Sequence, residues 1–99
     1  MKHNTPQLVR EKCGDTLYEY HPIGQYIVAA PGVCGGRPTF KYTRLEAATI
    51  LDLLAAGWTV ERLVREYAQS HLTAEAIVEA VRLAKEALVT TTTATQRPA

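Results

Sequence analysis

This 99-residue chain is poor in the residues and motifs that mark specialised protein classes. It has two cysteines, Cys13 and Cys34, too few for a disulfide framework and at a separation that matches no zinc-binding spacing. They read as reduced thiols, which fits a cytoplasmic protein. Residues 1–7 lack the apolar core of a signal peptide. The longest apolar runs are far too short to span a bilayer, so no membrane partner is expected. The Gly35-Gly36 pair is followed by no Walker-type lysine with serine or threonine, and its spacing is not a dinucleotide fingerprint. His3, His21 and His71 are scattered one per segment, and no acid–base pair or metal cluster is placed by spacing. The expectation is a non-enzymatic protein without a cofactor. No internal repeat is visible.

Charge is nearly balanced, at +1, so the whole chain exerts no strong pull on nucleic acid. Its distribution is uneven. Residues 1–44 carry six lysines and arginines against three carboxylates, whereas residues 45–99 carry five against seven. An apolar share of 46% is ordinary for a globular domain.

The pattern divides at a glycine- and proline-dense stretch, residues 31–44. Before it, residues 1–15 read as a loose polar arm. Two β-prone runs follow, Leu17 to Tyr20 and Gln25 to Ala29, separated by Pro22 and Gly24 and so expected to pair as a hairpin. Thr39 to Tyr42 alternates as a third short strand. Domain organisation is therefore expected as a hairpin and Gly/Pro-rich connector over 16–44, a three-helix unit over 45–89, and a disordered threonine-rich tail over 90–99. The fold class is α+β.

Helix signals are explicit. Thr43-Arg44-Leu45-Glu46 matches a capping box. The apolar residues that follow lie nearly all round the first helix, which predicts burial on most sides, and Gly57 ends it as a left-handed residue. Thr59 caps a second helix with Val60, Leu63, Val64 and Tyr67 on one face; Thr73 caps a third. There Ile77, Val81, Ala84 and Leu88 form one apolar stripe, widened by Val78 and Ala80.

The last two helices suggest a helix-turn-helix class, although the connector from Tyr67 to Thr73 is longer than the usual tight turn. Glu75, Glu79 and Glu86 on the third helix oppose an approach to phosphate, against Arg82 and Lys85. Arg37, Lys41 and Arg44 are thus the expected nucleic-acid contacts; a solvated basic edge that discourages strand pairing is the alternative. Gly35 and Gly36 mark a tight turn with positive φ, or else a backbone approach to an anion.

The segment Pro31-Gly32-Val33-Cys34-Gly35-Gly36-Arg37-Pro38-Thr39-Phe40, with Thr43-Arg44-Leu45 and Leu51-Asp52-Leu53-Leu54-Ala55-Ala56-Gly57, resembles domain-of-unknown-function family 433 (DUF433). The resemblance runs from about Tyr26 to Leu88. It implies kinship with VapB-type antitoxins: a small helix-turn-helix-class protein that binds a PIN-like toxin and its own operator, double-stranded DNA. It brings no catalytic residues. One position departs from the family, which usually has glycine where Tyr42 stands. The alternative function is a protein-interaction or dimerisation module without nucleic-acid binding. A homodimer is expected, held partly by the tyrosine-rich β segment.

Overall fold

The computed structural model describes residues 7–95. Four strands come first: β1 (Val9–Cys13), β2 (Thr16–Pro22), β3 (Ile27–Ala29) and β4 (Pro38–Phe40). They form one antiparallel sheet in the order β1-β2-β3-β4. Helices α1 (Ala47–Ala55), α2 (Val60–Glu66) and α3 (Ala74–Thr95) follow. The α+β class is as expected.

The expected pairing of the second and third strands is present but short, and a longer hairpin precedes it. β2 pairs along its length with β1, from Cys13 opposite Thr16 to Val9 opposite Tyr20, across a turn with Gly14 at φ +64. β2 meets β3 only at its far end, where His21 faces Ala29 and Pro22 faces Val28. The N-terminal arm expected over 1–15 is therefore a strand from Val9; residues 1–6 lie outside those described. Three consecutive charged residues, Arg10, Glu11 and Lys12, hid this strand: Arg10 and Lys12 face outward, and Glu11 on the half-covered face is satisfied by the Tyr20 and Tyr42 hydroxyls rather than by apolar contact.

Tyr20, Ile27 and Val28 are buried within the monomer. Of the β surface on which a β-mediated dimer was expected, Tyr18 and Tyr26 remain half-buried.

The capping box is also corrected. Thr43 donates from its hydroxyl to the Phe40 carbonyl at 2.7 Å and accepts from the Leu45 amide at 3.0 Å, closing the turn after β4. Glu46 remains extended, bridging to Thr39, so α1 begins at Ala47 without a side-chain cap. The other helix signals hold. Gly57 has φ +102, Thr59 accepts from the Arg62 amide, and Thr73 accepts from the Ala76 amide.

The main core joins Ile27, Phe40, Ile50, Leu63, Leu72 and Ile77, with Leu51, Trp58 and Tyr67 packed against it. α3 faces this core with Ile77 and with Ala76 and Ala80, whose small side chains permit close approach. The stripe expected on Val81 and Leu88 is instead exposed. α3 runs on to Thr95, past the tail boundary set at residue 90. Its residues 84–91 are exposed on every side, so the helix there rests on its own ladder of backbone hydrogen bonds.

Candidate functional site

Between β3 and β4 the chain makes a compact turn. Cys34, Gly35 and Gly36 have φ of +50, +65 and +83, the left-handed region that glycine enters without penalty. The amides of Gly36 and Arg37 donate to the carbonyls of Val33 and Cys34. The amides of Gly36 and Arg37 are thus spent inside the turn rather than offered to an anion.

The three expected cations part company. Arg37 grips Glu46 through two 3.0 Å hydrogen bonds, the fork-like pairing suited to guanidinium and carboxylate. The hydrogen bond from Arg37 holds the Glu46 carboxyl below its ordinary range, and the same contact raises Arg37. Lys41 lies over the rings of Tyr20 and Tyr42 at 4.9 and 5.1 Å, and 3.9 Å from Glu11. Chiefly the Tyr20 hydroxyl keeps its ammonium above the ordinary lysine range, against the pull of desolvation. Arg44 is exposed and its guanidinium meets no partner among the described residues.

Around Lys41 the tyrosines converge. Tyr42 occupies φ +68, a conformation costly for its bulky side chain. Its amide donates to the Tyr18 hydroxyl at 2.9 Å, its hydroxyl donates to Glu11 at 2.6 Å, and its ring lies 5.2 Å from that of Tyr18. Tyr20 donates to the other Glu11 oxygen at 2.7 Å. These bonds, that from Tyr42 first, hold the Glu11 carboxyl below its ordinary range. The first hairpin thus props a turn that a glycine would adopt unaided.

A second region collects apolar side chains. Ile23, Ile27, Pro38, Ala48, Leu51 and Leu83 line a groove of about 330 Å³ beside α1 and α3, with the Arg37–Glu46 pair among its lining residues. Helix α1 was expected to be covered on most sides. Only Ala47 and Ile50 are buried on it, while Leu51, Leu53 and Leu54 are half-covered and Ala48 is exposed. Of the exposed and half-covered residues, Ala48 and Leu51 line the groove.

Glu79 was missed. It is not on the polar face of α3 but buried, 7% exposed, and accepts from the Gln25 and Tyr26 amides at 2.7 Å each. Its helical position beside Ala76, Ala80 and Leu83 was the available signal: a carboxylate among apolar neighbours must have donors. Arg82 spans Glu79 and Glu86, at 3.5 and 3.0 Å.

The matched family model covers residues 27–84, more than half of the chain, and carries the description "Protein of unknown function (DUF433)". The chain belongs to this family. No curated protein and no solved structure matches it. Strands β1 and β2, which supply Glu11, Tyr18 and Tyr20, lie outside the matched region, as does α3 beyond Ala84. No helix among the described residues is long and apolar enough to cross a membrane.

Proposed function

We propose that this chain is a non-enzymatic, antitoxin-like protein that binds a PIN-like toxin, using the apolar groove beside α1 and α3. One observation carries the reading: α1 is apolar nearly all round, yet Ala48 is exposed and Leu51 half-covered, and both face a groove lined by Ile23, Pro38 and Leu83. Apolar side chains framed by a polar pair, here Arg37 with Glu46, have the make-up of a protein-binding patch. The toxin as partner, and the helix-turn-helix class of α2 and α3, rest on the resemblance to VapB-type antitoxins.

Operator DNA is the weaker part of the reading. Arg37 and Lys41 stand beside Glu46 and Glu11, and a phosphate would have to displace a carboxylate at each. Arg44 is the one of the three without such a competitor. This favours a protein-binding module over a DNA reader.

The test is co-purification of the full chain with the protein encoded beside it. Ala48→Arg fills the groove from an exposed position. It should abolish capture while leaving thermal unfolding unchanged. Equal capture by the variant, or none by the native chain, overturns the assignment. A salt-dependent shift of duplex DNA, lost in Arg44→Ala, would restore the DNA reading.

A further inference from the structure

We propose that the cavity between the sheet and the start of α3 binds a small, neutral, planar heterocycle whose edge carries hydrogen-bond donors and acceptors, the chemistry of a nucleobase. The cavity shares no lining residue with the groove assigned to the toxin.

Its volume is about 310 Å³, at the small end of the range for ligand pockets. Tyr26, Phe40, Tyr42, Leu72 and Ala76 supply its apolar lining. Three aromatic residues around so small a space favour a flat ligand, because rings pack well face to face with an offset or edge to face.

Two of the turns that build the cavity are held in a costly conformation. Tyr42 has φ +68 and His71 φ +57, one after β4 and the other before α3, and both line the cavity. Among the described residues Cys34 is the only other non-glycine residue with positive φ. Strain of this kind persists where the surroundings fix it, and it collects at ligand sites. A third wall is fixed by Glu79, which accepts from the Gln25 and Tyr26 amides. The walls are thus set before any ligand arrives.

Polar groups at the rim select the kind of ligand. The side chains of Gln25, Ser70 and His71 make no hydrogen bond or ion pair among the described residues. Thr43 and Thr73, by contrast, spend their hydroxyls on the Phe40 carbonyl and the Ala76 amide. An amide, a hydroxyl and an imidazole each bring donor and acceptor capacity. No carboxylate among the described residues lines the cavity, so a cationic ligand finds no counter-charge. Lys41 also lines it, but its ammonium lies over the Tyr20 and Tyr42 rings and beside Glu11, so an anion finds no free ammonium. A neutral ring meets both conditions, with its face toward the aromatic residues and its edge toward Gln25, Ser70 and His71. A glutamine amide donates and accepts at once, which suits the edge of a base.

Titration of the isotope-labelled full chain with adenosine and with uridine, followed by nuclear magnetic resonance, tests this. The amide signals of Gln25, Tyr26, Tyr42, Ser70 and His71 should shift to saturation, while those of Ala48 and Leu51 in the toxin groove stay in place. Gln25→Ala and His71→Gly should each weaken binding by about tenfold. Glycine enters φ +57 without penalty, so His71→Gly should melt close to the native chain, and its lost binding then reports the imidazole rather than unfolding. Benzoate and benzylamine, flat rings of opposite charge, should bind more weakly than either nucleoside. A single-stranded oligonucleotide that shifts the same amides at lower concentration assigns the site to an unpaired base within a strand; weaker binding than the nucleosides assigns it to the free compound. The absence of a saturable shift with either nucleoside overturns the proposal, as does native affinity in both variants or a preference for benzoate or benzylamine.

Discussion

The carboxylate of Glu79 accepts a 2.7 Å hydrogen bond from the backbone amide of Tyr26, a residue 53 positions earlier in the chain. Its other oxygen accepts from Gln25, and Gly24 lies so close that an added Cβ would come within 2.6 Å of the carboxylate. One side chain on α3 thereby ties down the loop that separates β2 from β3. The family model begins at residue 27, directly after this loop, and spans Glu79.

Glu79→Gln should destabilise the fold. The amide retains the volume but only one acceptor oxygen, so one of the two backbone amides faces an NH₂ group. Loss of a hydrogen bond to a charged group costs about 1–3 kcal/mol. Thermal unfolding should report this as a drop of several degrees or more. Gly24→Ala should have the same direction, because the carboxylate can yield to a methyl group only by leaving those amides. An unchanged melting temperature in both variants would show that the tie contributes nothing.

Gly36→Ala isolates backbone strain. Nothing lies within 4 Å of where its Cβ would stand, and φ is +83. Any destabilisation is therefore conformational, about 1–2 kcal/mol for an alanine forced into the left-handed region. Capture of the partner should be unchanged, since the Gly36 amide is spent on the Val33 carbonyl. A variant with native melting that no longer binds would move the functional site to this turn.

Acid should loosen the first hairpin. Glu11 has a carboxyl held below its ordinary value by the Tyr42 and Tyr20 hydroxyls. A depressed folded-state pKa adds stability that is present above the unfolded value and lost as pH falls through the folded one. Glu11→Gln should therefore melt lower than the native chain at neutral pH, and the gap should close below about pH 4.5, the ordinary carboxyl value. A gap that stays constant across that window would separate Glu11 from the effect.

Thr39→Val should stabilise the protein. Thr39 is fully buried between β3 and the start of α1, and its hydroxyl has no hydrogen-bond partner among the described residues. Replacing an unsatisfied buried hydroxyl by a methyl group of similar shape removes a desolvation penalty of about 1–3 kcal/mol. A fall in melting temperature would mean that the hydroxyl has a partner, such as a bound water.

The tyrosine cluster shows how a strained residue is held. Tyr42 has φ +68, in the region that favours glycine. The Tyr18 hydroxyl caps its amide and Glu11 receives its hydroxyl, both from the hairpin that precedes the matched region. A strained residue persists when its surroundings over-determine it.

What the sequence alone determined was local. Thr59 and Thr73 cap their helices because a hydroxyl one turn from a free amide needs no distant partner, and Gly35, Gly36 and Gly57 take positive φ because a missing Cβ removes the local clash. The apolar face of α2 is equally legible, since its period is a property of the helix itself. Tertiary structure decided the rest. Thr43 fits a capping box, but Glu46 is held extended against Thr39 and drawn to Arg37, and α1 starts later. Both alanines and valines on α3 are apolar, and periodicity cannot rank them. Close packing against the core favours the small side chains of Ala76 and Ala80, and this rotation leaves Val78, Val81 and Leu88 outside while Glu79 goes in. The charges followed the same logic: Arg37 and Lys41 are cations in the sequence, but the carboxylates that occupy them come from the start of α1 and from β1, brought near only when the chain folds.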